Sequence, residues 1–127
     1  MDRLVWVCVG GAVGSGARYL VAGWVMRWAN STFPYGTLAV NLIGSFLLGA
    51  LMHIGLSSDV LSPNARLALT TGLLGGFTTY STFSYESMQL LREGAWLHAG
   101  LNLGGTVAAC LLASAAGYAT GRWVIGA

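Results

Sequence analysis

Four long apolar segments, separated by connections too short to hold a domain, constrain this chain more than any other feature. They cover residues 4–26, 36–56, 64–91 and 96–125. Each has about the 20 residues that a helix needs to cross the hydrocarbon layer of a bilayer. The connections are residues 27–35, 57–63 and 92–95, and Pro34 and Pro63 stand where the next helix restarts. Only 8 % of the residues are charged, against about 25 % in soluble domains. A water-facing surface cannot be built from that composition. The expected fold is all-α, a single four-helix transmembrane domain over residues 1–127. The first segment has the length of a signal-peptide core, but apolar sequence resumes at Tyr19, so it reads as a retained span.

Several function classes are excluded on the same grounds. The net charge of +2 comes without a basic run, which speaks against nucleic acid as a partner. Little chain lies outside the membrane, so no soluble enzyme site is expected. Cys8 and Cys110 lie inside apolar segments and read as small packing residues, not as a disulfide or a metal cluster. Glycines four apart (Gly10 and Gly14, Gly72 and Gly76, Gly100 and Gly104, Gly117 and Gly121) have the spacing that lets helices approach closely in lipid.

Charge gives almost no orientation. With four spans, Arg3, Arg66 and Arg122 share one side, and Arg27 and Arg92 share the other. Orientation normally follows an excess of Lys and Arg in the cytoplasmic connections. This near balance predicts insertion both ways and an antiparallel pair of identical subunits.

Polar residues recur inside the spans. In the fourth, His98, Asn102, Thr106, Cys110, Ser114 and Tyr118 repeat every four residues. Such a row winds slowly over one helix face and is about 30 Å long, close to the hydrocarbon thickness. In the second, Thr37, Asn41 and Ser45 repeat the interval. Single residues of this kind act as interhelical glue; facing rows read as a permeation path. Neither row contains a carboxylate, which favours an anion or a neutral solute over a cation. Two charges lie deeper, Arg18 and Glu86. Charges inside spans are functional candidates, and these two read either as a structural pair or as an anion-attracting vestibule.

The third span contains the sequence GLLGGFTTYSTFSYE at residues 72–86. Gly72, Gly75, Gly76, Thr78 and Thr79 are weak helix formers, which predicts a break near residues 75–78. Broken backbone within a bilayer must be buried in protein or face a cavity, and its freed carbonyls can hold a cation. Beyond it, Tyr80 and Phe83 share a face, with Ser81, Thr82 and Ser84 alongside. The positive edges of the two rings, beside amide and hydroxyl donors, suit a small dehydrated anion.

Three motifs now stand in order: GGAVGSGARY at 10–19, GTLAVNLIGSFLLG at 36–49 and GGFTTYSTFSYE at 75–86. With them the chain resembles the Fluc, or CrcB-type, fluoride channels over nearly its whole length. The resemblance implies a passive fluoride-selective channel in the bacterial cytoplasmic membrane. It implies a dual-topology homodimer with two antiparallel pores and a central Na⁺ held by the backbone carbonyls of Gly75 and Thr78. Asn41 would project into the pore, with Thr37 in the same row, and Phe83 would turn a ring edge to fluoride. Tyr80 stands where the family usually has a second phenylalanine. Ser81 and Thr82 match polar residues near the pore, Asn102, Thr106 and Cys110 match the fourth-helix track, and Arg18 and Glu86 match structural or vestibular charges. The rival readings are a small proton-coupled multidrug exporter working through Glu86, and a membrane scaffold without transport. The exporter reading lacks its usual first-span carboxylate, since Asp2 is the only acid before residue 59.

Overall fold

The computed structural model describes residues 2–126, and no strand occurs among them. Helix α1 is Asp2–Ala29 and α2 is Tyr35–Ser57. Helix α3 covers residues 63–77, with wider π-helical turns over Ala68–Leu74. Helix α4 is Ser81–Arg92, and α5 is Trp96–Ile125 with a second π-helical stretch at Leu101–Gly105. Helices α1, α2 and α5 are long and apolar enough to cross a membrane. The third span is interrupted, as its weak helix formers predict. It is divided into α3 and α4, neither of which is long enough alone.

Local chemistry accounts for the ends. Asn30 takes a left-handed conformation (φ 45°) after α1, and its N–H still reaches the Met26 carbonyl. Ser62 caps α3 by accepting from the Ala65 N–H at 3.1 Å, with Pro63 in the first turn, where a missing N–H is harmless. Gly94 (φ +78°) closes α4, its N–H and that of Ala95 donating to the carbonyls of Leu91 and Leu90.

Two backbone-to-backbone contacts hold the bundle. The two most extensive packings join α1 to α3 and α2 to α5. A Cβ at Gly14 would stand 2.0 Å from the Leu73 carbonyl oxygen, and one at Gly117 would stand 2.0 Å from that of Phe46. Only glycine permits either approach. In lipid, where apolar burial drives nothing, such contacts are the main source of helix association. Gly76 packs the end of α3 on Gly11 of α1 in the same way. Gly100 and Gly104 do not follow the pattern. A Cβ at either meets nothing within 4 Å, so equal spacing does not make them packing residues in this chain. Cys8 also departs from its expected role: it is exposed on α1, whereas Cys110 is half-buried. The outer faces carry large apolar side chains such as Trp28, Leu111, Leu112 and Trp123, as a surface solvated by lipid requires.

Candidate functional site

The site is organised around the interruption between α3 and α4. Thr78 ends α3: its N–H and its hydroxyl both donate to the Leu74 carbonyl at 3.0 Å, and its own backbone is extended (φ −87°, ψ 159°). Gly75, expected at the break, is itself still helical (φ −62°, ψ −38°). The chain leaves the helix three residues later, where the Thr78 backbone turns extended and the next N–H, that of Thr79, is taken by a side chain of α2.

Asn41 of α2 holds the next peptide at two points. Its Oδ1 accepts from the Thr79 N–H at 2.8 Å, and its Nδ2 donates to the Thr79 carbonyl at 3.0 Å. In a continuous helix that N–H would bond to the Gly75 carbonyl. The Thr82 N–H, which would serve the Thr78 carbonyl, donates instead to Thr79 Oγ1 at 3.3 Å, capping the start of α4. The Gly76 carbonyl takes Arg18 Nε of α1 at 3.1 Å. Of the carbonyls at the break, those of Gly75, Phe77 and Thr78 have therefore lost their helical donors, while those of Gly76 and Thr79 have gained side-chain donors. In the sequence Thr79 stands out as a weak helix former at the break and not as a residue of the site. The only signal was a threonine three residues before Thr82, a weak capping pattern.

Two cavities flank this peptide. The larger, about 670 Å³, collects Asn41, Ser45, Gly75, Thr78, Thr79, Tyr80, Phe83, Thr106 and Cys110, with no charged residue in its lining. Phe83 is buried, and Tyr80, 78 % exposed on the single chain, meets it edge-on with ring centroids 5.9 Å apart. The smaller, about 370 Å³, is lined by Arg18, Thr37, Thr79, Thr82 and Glu86 among others. Thr79 belongs to both and forms part of the wall between them.

The other predicted residues are distributed differently. Arg18 and Glu86 share the smaller cavity but are not hydrogen-bonded to each other, so the expected pair is replaced. Arg18 serves the Gly76 carbonyl, and Glu86 accepts from the Thr37 hydroxyl. Asn102, 2 % exposed, lines neither cavity. Its Nδ2 donates to Ser87 Oγ at 2.9 Å, its Oδ1 accepts from Thr106 Oγ1 at 3.1 Å, and Ser87 donates to the Phe83 carbonyl at 2.8 Å. This chain of bonds ties α5 to the backbone beneath the Phe83 ring. Ser81 is exposed and lines neither cavity. The six-residue row on α5 is not one continuous path. Its ends are His98 against Phe33 and Tyr118 against His53, and Ser114 donates to the Ser45 carbonyl.

Fold and site together define a small multi-pass helical membrane protein whose broken helix borders an uncharged cavity lined in part by Tyr80 and Phe83. The family model described as CrcB-like protein, Camphor Resistance (CrcB), matches residues 5–118. The chain belongs to that family. It is 48 % identical over 126 residues to the fluoride-specific ion channel FluC of Anaeromyxobacter sp. (strain K), covering 99 % of this chain and 100 % of the relative. It is 49 % identical over 122 residues to the fluoride-specific ion channel FluC of Geobacter sulfurreducens, covering 96 % of this chain and 98 % of that one. A third fluoride-specific ion channel FluC, from Sorangium cellulosum, is 46 % identical over 125 residues, 98 % of each chain.

Proposed function

We propose that this protein is a fluoride-selective ion channel, not an enzyme, that passively exports cytoplasmic fluoride across the bacterial inner membrane. The observation that carries the reading is the uncharged lining of the larger cavity, where Phe83 and Tyr80, edge-on to each other, stand beside amide and hydroxyl groups. A fluoride ion entering a dry pore must have its hydration shell replaced by donors. Ring edges and hydroxyls do this without a full positive charge that would trap the ion. The hydrogen-bond directions refine the donor set. The Asn41 amide is committed to Thr79 and the Thr106 hydroxyl to Asn102. Thr82 Oγ1 accepts from Thr79 Oγ1, which leaves its own hydroxyl hydrogen for an ion on the side of the smaller cavity. Asn41 then acts mainly by holding the break in shape, and Tyr80, Phe83 and Thr82 meet the anion.

The functional unit in this reading is a dual-topology homodimer with two antiparallel pores. The exposed Tyr80 and the near balance of arginines between the two sides support it. The carbonyls of Gly75 and Thr78, relieved of their helical donors, fit a sodium ion at the dimer axis, to which they would present oxygen ligands. Bound there, the ion supplies the positive charge that these two carbonyls otherwise lack as a partner.

The test is fluoride efflux from liposomes holding the purified protein, followed with a fluoride electrode and repeated with chloride. Fast fluoride loss, unaffected by a proton gradient, with chloride retained, is the expected result. Absence of fluoride flux through folded protein refutes the reading, and flux that requires a proton gradient and is lost in Glu86→Gln restores the exporter.

A further inference from the structure

We infer that Arg18 limits the cation site at the helix break to a monovalent ion; the inference rests on the sodium reading above. A helix end concentrates partial negative charge on its unpaired carbonyls and attracts any cation within reach. Left bare, the carbonyls of residues 75–78 would be an oxygen-only cluster, the ligand type that hard divalent cations such as Ca²⁺ prefer.

Arg18 changes both the count and the charge. Its Nε donates to the Gly76 carbonyl at 3.1 Å, which lies in sequence between carbonyls that have lost their donors. One ligand is thereby withdrawn, and one permanent positive charge is fixed at the same helix end, on the side of the smaller cavity. The glycines of α1 make the reach possible. Gly14 lies against the Leu73 carbonyl and the Phe77 N–H, and Gly11 lies against Gly76, so the next turn of α1 brings Arg18 level with the end of α3. The carboxylate nearest in the same cavity, Glu86, accepts from Thr37 and not from Arg18, so the guanidinium charge is not cancelled by a direct pair. In the antiparallel dimer, symmetry supplies a second Arg18 to the same ion. Repulsion grows with the charge of the bound ion, so a monovalent ion is tolerated and a divalent one is rejected. Arg18 is a positioning residue and an electrostatic one, with no contact to the permeating anion required.

The experiment measures the melting temperature of the purified full-length protein in detergent. NaCl or CaCl₂ is titrated against a choline chloride background of constant ionic strength. Wild type and Arg18→Lys, which keeps the charge, are expected to be stabilised by Na⁺ and not by Ca²⁺. Arg18→Gln is expected to bind Ca²⁺ at least about a hundredfold more tightly than wild type, the least effect of one unit charge on a divalent ion within about 12 Å at an effective dielectric of about 20. Equal Ca²⁺ responses in wild type and Arg18→Gln overturn the inference. So does a Ca²⁺ response in Arg18→Lys, which remains decisive if Arg18→Gln cannot be recovered folded. A wild type indifferent to Na⁺ refutes the sodium reading itself, a result distinct from either.

Discussion

Replacing Asn41 with alanine tests the least expected feature of the site. The wild-type amide satisfies two groups of one peptide, the Thr79 N–H at 2.8 Å and the Thr79 carbonyl at 3.0 Å. Alanine leaves both without a partner in a part-buried setting, and each orphaned backbone group costs about 1–3 kcal/mol. The combined cost is roughly 2–6 kcal/mol, or about thirtyfold or more in the population of the clamped peptide. Without the clamp, the peptide at the break is no longer held in one shape. Fluoride efflux should therefore fall at least about tenfold, while hydrogen exchange at the Thr79 amide rises by a similar factor. Efflux and exchange within twofold of wild type would refute the clamp. Lost efflux with unchanged exchange would return Asn41 to direct contact with the anion.

Three further outcomes follow from the contacts. Gly14→Ala, whose Cβ would meet the Leu73 carbonyl oxygen, should lower the melting temperature or abolish folding, whereas Gly100→Ala, facing open space, should be neutral or stabilising by up to about 1 kcal/mol; a circular-dichroism melt of each decides. Asn102→Ala leaves Ser87 and Thr106 without their shared partner and should cost about 1–3 kcal/mol in the same assay. Phe83→Ile keeps an apolar side chain but removes the ring edge, so it should leave the melt near wild type and reduce fluoride efflux at least about tenfold, a loss of about 1.4 kcal/mol of ion stabilisation.

Much of this arrangement is legible in the sequence, and the remainder is not for physical reasons. Long apolar runs dictate membrane helices because composition alone decides whether a surface can face water. The weak helix formers around Gly75 place the interruption within a few residues. They do not reveal that Gly75 itself remains helical, because the Thr79 N–H that would bond to the Gly75 carbonyl is taken by Asn41 of another helix. Spacing reports which residues share a helix face, not what that face meets. Gly14 and Gly100 belong to identical four-residue intervals, yet one touches backbone and the other touches nothing. For the same reason Asn102 and Thr106 read as equivalent members of one row. In the fold, Asn102 is enclosed between Ser87 and Thr106, and only Thr106 reaches the larger cavity. Asn41 shows the deeper limit. A polar residue in an apolar helix announces that it has a partner, and nothing local says whether that partner is a passing ion or the backbone of another helix.

The central claim is that fluoride, and not chloride or a proton-coupled solute, moves passively through this protein. Current through a planar bilayer containing the purified protein, recorded with a fluoride gradient across the membrane and chloride at equal concentration on both sides, tests it most directly. The account predicts a current that reverses at the fluoride equilibrium potential and does not shift when a chloride gradient or a pH gradient is added. A reversal potential that follows chloride or pH, or no current from folded protein, would contradict it.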